Sequence, residues 1–549
     1  VPDSRFHFPS PPRWAFALVA LLAFGFFLRV YAGIWTPEHG ITKFLRVGQE
    51  FDDRGTEVFR ATPKFIDPYP AHRWGFDGQL YAEMALDPLL LDPHLHIALD
   101  NPPYRAQRIL LSWIAWGLGL GQPFWILNAY AALNLIFWVG FAWLSGRLFA
   151  PHGWAGLAGY AVTLVTCGVI ESMQASLTDL PSFTLILAAI MIGGKAGACL
   201  LALAALVRST SLIGFVGLAQ LPPPWREAIR KNIAWGLIAV VPLACWVAYV
   251  LWRFHGHEVN FDGGNLAMPF RGMMEKLGEF SVTAGHGSIR WHRWPFELYK
   301  SYELHSLLTM ISVVTQIVFV AVNRNWRDPL WRWGAVVAAY FSCISFLSWE
   351  SHFTITRHAL PITLLFNVLL AARPGRSWLI WFLLGNCFVP FGVRYFDGMR
   401  EFRSPPPLPE FAIEAPATIV AAPVQVQVRY GEGWSAQQWR PDTTWRWSRR
   451  EQATVILRNA APRPVRVQFT FLASSFHERE FRIDAASQTV LRTRLPAARR
   501  VITLDDLELP PGETTLTFIV SGEPSKTDDG TPGEVKLKME KPTVRIRAP

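Results

Sequence analysis

Residues 14–32 read WAFALVALLAFGFFLRVYA, an apolar run whose only charge, Arg29, falls near its end. A helix of about 20 such residues spans the hydrocarbon of a bilayer. Arg5 and Arg13 precede the run and no small-residue cleavage motif closes it, the pattern of a retained signal anchor. Blocks of the same kind then recur, at 14–34, 122–145, 154–170, 181–194, 196–208, 210–221, 233–252, 303–322, 333–348, 358–372 and 378–394. They predict an α-helical polytopic membrane domain of about eleven spans within residues 1–402. A shorter Gly-rich stretch, 108–120, reads as a half-buried or surface helix.

Charge orients the spans. With a cytoplasmic N-terminus, the inner loops carry Arg147, Lys195, Arg226, Arg230, Lys231, Arg324, Arg327, Arg332, Arg373 and Arg376, as the positive-inside rule requires. The outer side then receives the long first loop 35–121, the segment 171–180, the loop 253–302, the segment 349–357 and everything C-terminal to the last span. Blocks 196–208 and 210–221 are each too short to cross alone. They read as a broken pair meeting at Arg208-Ser209-Thr210, because an interrupted helix lining a protein cavity is tolerated where a lone Arg in hydrocarbon is not. The competing reading, one continuous helix, reverses the sidedness of the segment from Pro222 to Lys231.

Composition agrees with a membrane protein: of 549 residues 51% are hydrophobic and 17% charged, with 25 Trp and 38 Phe. The net charge of +10 is accounted for by loop Lys and Arg and by lipid contact, and no nucleic-acid module accompanies it. The five cysteines lie within or beside apolar blocks without a CxxC or pairing pattern, so neither disulfides nor a thiolate metal site is indicated. His255, His257, His286 and His292 match no usual ligand spacing, so no metal residues are assigned. Glu275 and Glu279 read as one face of an interfacial helix.

Beyond 402 the character changes. A Pro-rich linker at 403–411 precedes residues 412–549, where short alternating or β-branched runs (Val424–Val428, Thr454–Leu457, Val465–Phe471, Val501–Leu504, Thr515–Val520, Val535–Met539) alternate with turn signals such as Pro510-Pro511-Gly512 and Asp529-Gly530. This predicts an all-β, sandwich-like soluble domain. Its Trp434, Trp445 and Trp447 have two readings: faces that stack on sugar rings in a glycan-binding surface, or core and docking residues.

Candidate chemistry gathers on the outer side. The first loop holds His72-Arg73-Trp74-Gly75-Phe76-Asp77-Gly78-Gln79-Leu80-Tyr81 and then Asp100-Asn101-Pro102-Pro103-Tyr104-Arg105-Ala106-Gln107-Arg108. An Asp among aromatics at the membrane edge is expected to be desolvated, with a raised pKa and greater strength as a base; the alternative is a plain Asp-Gly turn. Glu171, Asp179, Arg208, Glu350, His352 and Arg357 sit at the outer ends of spans. Asp179 also suits a helix cap, and Arg208 and Arg357 suit structural ion pairs with Asp179 or Glu350. Taken together, two arginines and a histidine on the side that holds the carboxylates suggest a cavity for an anionic lipid headgroup beside a base.

These residues resemble the GT-C superfamily of multi-span glycosyltransferases that use polyprenyl-phosphate-linked sugars. The resemblance runs over about 380 residues, on Arg29, the Trp-x-x-Asp-Gly-x-x-Tyr arrangement of Trp74 to Tyr81, Thr178-Asp179-Leu180-Pro181, Arg208-Ser209-Thr210-Ser211 and Arg357-His358-Ala359-Leu360-Pro361. It implies that Asp77 is the catalytic carboxylate, with Asp52 or Asp53 as alternatives because Gly75-Phe76 is inserted where relatives have Trp and Asp adjacent. It implies donor-phosphate binding by Arg208, Arg357 and His352, with Trp74, Gln79, Tyr81, Tyr104, Arg105, Glu171, Asp179 and Glu350 as further site candidates.

The reaction implied is inverting transfer of a sugar from a polyprenyl-phosphate donor to a cell-surface or lipid-linked glycan acceptor, at a bacterial inner membrane. A divalent cation could assist in some relatives, but nothing in these residues demands one. Two other classes compete: a lipid-linked glycan transporter, which calls for repeats of matching broken spans that are not visible, and a non-catalytic glycan-assembly partner.

Overall fold

The computed structural model describes residues 10–67, 75–221, 225–256, 266–285, 302–350, 352–398, 411–414, 426–435, 437–440, 443–476, 478–485, 488–496, 499–522, 525–526 and 534–547. The chain divides into two compact units: Val1–Asp67, Gly75–Gly272 and His305–Phe402 form one, and Pro68–Trp74, Met273–Leu304 and Arg403–Pro549 the other.

The first unit is helical. Five helical stretches are long and apolar enough to cross a membrane: Arg13–Ile34, Pro123–Gln174, Trp225–Arg253, Leu304–Val322 and Trp378–Asp397. Shorter apolar helices cover Asp179–Ile192, Gly194–Val207, Ser209–Leu218 and Leu360–Ala371. Trp225–Arg253 leaves Ile229, Ile233, Leu237, Val240, Val241 and Trp252 exposed, and Arg13–Ile34 leaves Leu18, Leu21, Leu22 and Leu28 exposed. Such outward apolar surface is what a hydrocarbon solvent selects and water does not.

Several expected spans are interrupted rather than continuous. The block at 154–170 is two helices, Gly153–Leu164 and Cys167–Gln174, because Thr166 caps the second, its hydroxyl accepting the Val169 N–H at 3.4 Å. Gly194–Val207 stops at Arg208, whose backbone is extended, and a 3-10 turn, Ser209–Gly214, follows before Phe215–Leu218. The last block divides into Trp378–Gly385 and Val389–Gly398. Each break frees backbone groups and admits polar side chains to the interior, so the site below is built at broken helix ends. The stretch 108–120 is a helix at Leu110–Leu118, and Glu275 and Glu279 fall on the helix Arg271–Gly285.

The second unit holds two antiparallel sheets. One orders Gln488–Leu495, Arg479–Ala485, Gly512–Val520, Gln452–Asn459 and Val426–Tyr430; the other orders Arg500–Leu509, Val465–Ser474, Lys538–Ile546, Thr443–Trp447 and Gln438–Arg440. Ala412–Glu414 adds to Lys538–Ile546 in parallel. Buried positions alternate along the strands, as period-two side chains require, and Val455, Leu457, Phe469, Phe471, Phe481, Leu516 and Phe518 share one core. The turn Asp529-Gly530 lies outside the described residues.

Candidate active site

The site begins with a backbone device. Gly75 takes φ +69°, a conformation that strains any side chain, and the Phe76 N–H then donates to the Arg46 carbonyl at 3.2 Å. This turn starts the helix Asp77–Leu86 with Asp77 as its first residue. Gly78 lets that helix lie against the turn at Ala175 and Ser176, where a Cβ would collide with the Ala175 carbonyl. The Gly75-Phe76 insertion therefore has a role: the glycine makes the turn, and the Phe76 ring packs under the Arg46 guanidinium at 4.6 Å.

Around Asp77 stand guanidinium groups from separate segments. Arg105 Nη1 lies 3.2 Å from Asp77 Oδ1, and Arg357 Nη1 lies 4.0 Å from Oδ2. Arg105 also grips Asp100 bidentately, through Nε at 2.8 Å and Nη2 at 2.6 Å. Arg357 reaches Asp179 at 3.7 Å, and Asp179 in turn pairs with Arg208, whose Nη2 is 3.4 Å from His358 Nδ1. Asp179 opens the helix Asp179–Ile192 behind Thr178, so its carboxylate serves the arginines and the cap position belongs to Thr178. Helix Cys167–Gln174 approaches the Arg357 helix at Gly168, where a Cβ would meet the Thr356 carbonyl. Glu171 on that helix is buried, accepts from Gln174 Nε2, and lies within electrostatic range of Arg357 and Arg46.

Arg108 differs from the other cations. It is 7% exposed, its Nη1 donates to Tyr81 Oη at 2.6 Å and its Nη2 to Tyr104 Oη. Among the described residues no carboxylate lies within 4.0 Å of it, so its partners there are two neutral phenols and the face of the Tyr104 ring. Asp77, by contrast, keeps 30% of its side chain exposed. A buried guanidinium with no directly paired carboxylate thus lies within electrostatic range of Asp77, a carboxylate that solvent can reach.

The expected pKa of Asp77 is corrected by this geometry. Burial pushes the carboxyl up, but Arg105, then Arg357 and Arg108, outweigh it and hold the value down at about 2. Desolvation by aromatics was the visible part of the environment, and the arginines arrive from residues distant in sequence.

The structure brings Asp77, Tyr81, Tyr104, Arg105, Asp179, Arg208 and Arg357 into one connected network. Others are engaged elsewhere. Asp52 pairs with Lys64 at 2.6 Å and Asp53 accepts from Gln49 at 2.9 Å, and neither forms an ion pair with Arg105, Arg208 or Arg357. Gln79 is buried, with Oε1 accepting the Gly48 N–H at 3.0 Å. Arg29 lies 3.6 Å from Asp397 and is largely exposed. Trp74 and the side chains of Glu350 and His352 lie outside the described residues, as do His257, His286 and His292.

In the other unit, Trp445 and Trp447 are 2% and 4% exposed, covered by Lys538 and Phe476, while Trp434 packs on the sheet core and donates to the Thr454 carbonyl at 2.8 Å. Trp445 and Trp447 are thus core side chains, while Trp434 is half-buried at the edge of that core. Arg108 and His358 stood in the quoted stretches but were given no role in the site. Their signals were present, as Arg108 follows Arg105 by three residues and His358 adjoins Arg357. Among the described residues no group of three His, Cys, Asp or Glu is placed to hold a metal. The carboxylates of Asp77, Asp100 and Asp179 are already matched to guanidinium groups, a donor set that does not fit a divalent cation.

No family model matches the chain. No curated protein matches it either. Among solved structures it is similar to the arabinosyltransferase EmbB from Mycobacterium smegmatis, at 10% identity and a TM-score of 0.23, over 99% of this chain and 66% of that one. It is also similar to a Podospora anserina β-(1,4)-mannanase, GH26-CBM35, at 7% identity and a TM-score of 0.14, over 23% of this chain and 26% of that one. The chain therefore spans less than two thirds of the length of either. Likenesses of this depth leave the function to be argued from the residues themselves.

Proposed function

We propose that the chain is a membrane glycosyltransferase that moves a sugar from a polyprenyl-phosphate donor to a cell-surface or lipid-linked glycan acceptor, with inversion and with Asp77 as base. The observation that carries this reading is the buried, carboxylate-free Arg108 guanidinium next to the solvent-reachable Asp77. A buried cation costs several kcal/mol unless an anion compensates it. The phosphate of a lipid-linked donor supplies that anion, and the base beside it supplies the chemistry.

In the reaction, Asp77 takes the proton of an acceptor hydroxyl as that oxygen bonds to the anomeric carbon. The bond from that carbon to the phosphate oxygen breaks, and its electron pair leaves with the polyprenyl phosphate. Arg108 and Arg357 take the developing charge, with Arg208 and His352 supporting. Arg357 sits 3.7 and 4.0 Å from two carboxylates, loose pairs that a phosphate can outbid. Drawing Arg357 toward the donor removes one of the charges that depress Asp77, so the carboxylate gains basicity when donor is bound. In the same proposal residues 1–402 are the catalytic membrane domain, 403–411 a linker and 412–549 an extracytoplasmic β domain. The N-terminus is cytoplasmic in the same proposal, and Trp74, Glu171 and Glu350 are its further site candidates.

Asp77→Asn tests the reading. Transfer with a defined polyprenyl-phosphate sugar is expected to fall by about 100- to 10,000-fold. The fold is retained, because Arg105 keeps Asp100 as its partner. Transfer at the wild-type rate by purified Asp77→Asn protein removes the base and favours a non-catalytic assembly role. Mass spectrometry of co-purifying lipid is expected to show a long isoprenoid phosphate.

A further inference from the structure

Three helix ends enclose a groove remote in sequence from Asp77. The C-terminal end of Tyr302–Val322, the C-terminal end of Leu360–Ala371 and the start of Trp378–Gly385 bound a cavity of about 260 Å³. Its apolar wall includes Phe319, Leu370 and Trp381, with Phe319 and Trp381 in edge contact at 5.2 Å between centroids. Its polar end is Asn323, Arg373 and Ser377.

Two features of this groove lack a counterpart among the described residues. Arg373 Nη1 donates to the Asn323 amide oxygen, a neutral partner, and no carboxylate lies within 4.0 Å of its guanidinium. The Trp378 indole Nε1 is buried without a hydrogen-bond acceptor, while its ring stacks on Phe382 at 4.7 Å. The Arg373–Asn323 bond joins the loops 323–328 and 372–377, which together carry Arg324, Arg327, Arg373 and Arg376 against one acid, Asp328. That Asp328 carboxylate already caps the next helix through the Leu330 N–H at 2.9 Å.

We propose that this groove binds one anionic phospholipid, with its phosphodiester on Arg373 and the Trp378 indole N–H and its acyl chains along Phe319, Leu370 and Trp381. The arginine loops repel the ammonium of a zwitterionic headgroup and attract an anionic one. The apolar wall distinguishes a lipid from free phosphate, because acyl methylenes gain burial there that a small anion does not. The site rests on the membrane reading of the helices and is independent of sugar transfer.

Native mass spectrometry of the delipidated full chain tests the assignment, with dioleoyl phosphatidylglycerol, dioleoyl phosphatidylcholine and glycerol phosphate added separately. Phosphatidylglycerol is expected to occupy one tight site and to exceed phosphatidylcholine by about tenfold or more, as charge-assisted hydrogen bonds do. Trp378→Phe keeps the stacking on Phe382, removes one donor, and is expected to weaken that site about fivefold. Arg373→Ala is expected to lose at least as much. Arg147→Ala, in the last turn of the helix Pro123–Phe149 where the guanidinium covers Trp143, leaves binding unchanged. Equal retention of the two lipids overturns the proposal. So does an Arg147→Ala loss as large as that of Arg373→Ala, a Trp378→Phe variant that binds like wild type, or glycerol phosphate binding as tightly as the lipid.

Discussion

Asp77 is fully ionised at neutral pH and, with arginines on either side, a weak base at rest. Because its folded pKa is depressed, the stability it contributes is present above the ordinary Asp range and is lost only as pH falls toward about 2. The pH profile of kcat/KM is therefore expected to carry no acid limb from Asp77 between pH 5 and 8. Arg105→Gln removes the strongest of the charges that lower it and leaves burial to act in the opposite direction. The Asp77 pKa then rises toward the ordinary carboxylate range, so an acid limb enters the accessible range below about pH 5. A variant profile as flat as wild type shows that Asp77 is not the titrating base. Arg108 permits a sharper separation of roles. With its charge held for a phosphate, Arg108→Gln removes a buried cation that has no direct ion pair, so thermal stability holds or rises while binding of the bare polyprenyl phosphate falls tenfold or more. A structural Arg108 gives the reverse, a lower Tm with lipid binding preserved. Little of this network was legible in the chain. Arg208 and Arg357 stand out as charges at the ends of apolar blocks, and Asp77 as an acid among aromatics in the first loop. The Arg105–Asp77 pair and the Tyr81–Arg108–Tyr104 bonds depend on distances between segments that sequence spacing does not encode.

Helices position these side chains by ending at chosen places. The stop of Gly194–Val207 at Arg208 was legible, since a charge inside an apolar run needs a break or a partner, and Arg208 has both. The division at Thr166 was not, because Thr is tolerated inside an apolar helix and its capping bond to Val169 is a local choice. Another junction turns on Arg332, which donates to the carbonyls of Val216, Gly217 and Ala219 and closes the C-terminal end of Phe215–Leu218. Read from charge alone, Arg332 was an inner-loop marker. Gly78 tests how rigidly such junctions hold the site. Helix propensity alone makes Gly78→Ala stabilising by about 1 kcal/mol. The added methyl, however, meets the Ala175 carbonyl and the Ser176 side chain, and the helix that starts with Asp77 must move. A net loss of about 1–3 kcal/mol is expected, together with reduced transfer. Gly117→Ala, on a helix position with nothing within 4 Å, is expected to be neutral or stabilising, and thermal melts of the two variants compare them directly.

Across the whole molecule, the change from helical blocks to alternating strands was legible, and strands stand where Thr454–Leu457, Val465–Phe471, Val501–Leu504 and Thr515–Val520 were read. Arg479–Ala485 and Gln488–Leu495 were not read, and the run Val535–Met539 is broken between Glu534–Val535 and Lys538–Ile546. Strand order was not, because Lys538–Ile546 joins Val465–Ser474 on one side and both Thr443–Trp447 and Ala412–Glu414 on the other, pairings between residues far apart in sequence. The tryptophan cluster was ambiguous for the same reason: burial belongs to the assembled sheets, and Trp447 is hidden only once Phe476 stacks on it at 5.2 Å. The closed core of these sheets carries a prediction about the unit as a body. Phe518 touches Phe471, Phe481 and Trp434, all within the same two sheets, and Leu516 is fully buried beside it. A core satisfied by its own sheets needs no helical partner to fold. Residues 411–549 produced alone are therefore expected to give a β-type circular dichroism spectrum and a single cooperative urea transition. Leu516→Ala is expected to lower stability in that fragment by about 2–5 kcal/mol, read as a lower urea midpoint with an unchanged slope. A fragment that unfolds without a transition, or a Leu516→Ala midpoint equal to wild type, shows that the sheets depend on the helical part of the chain for their packing.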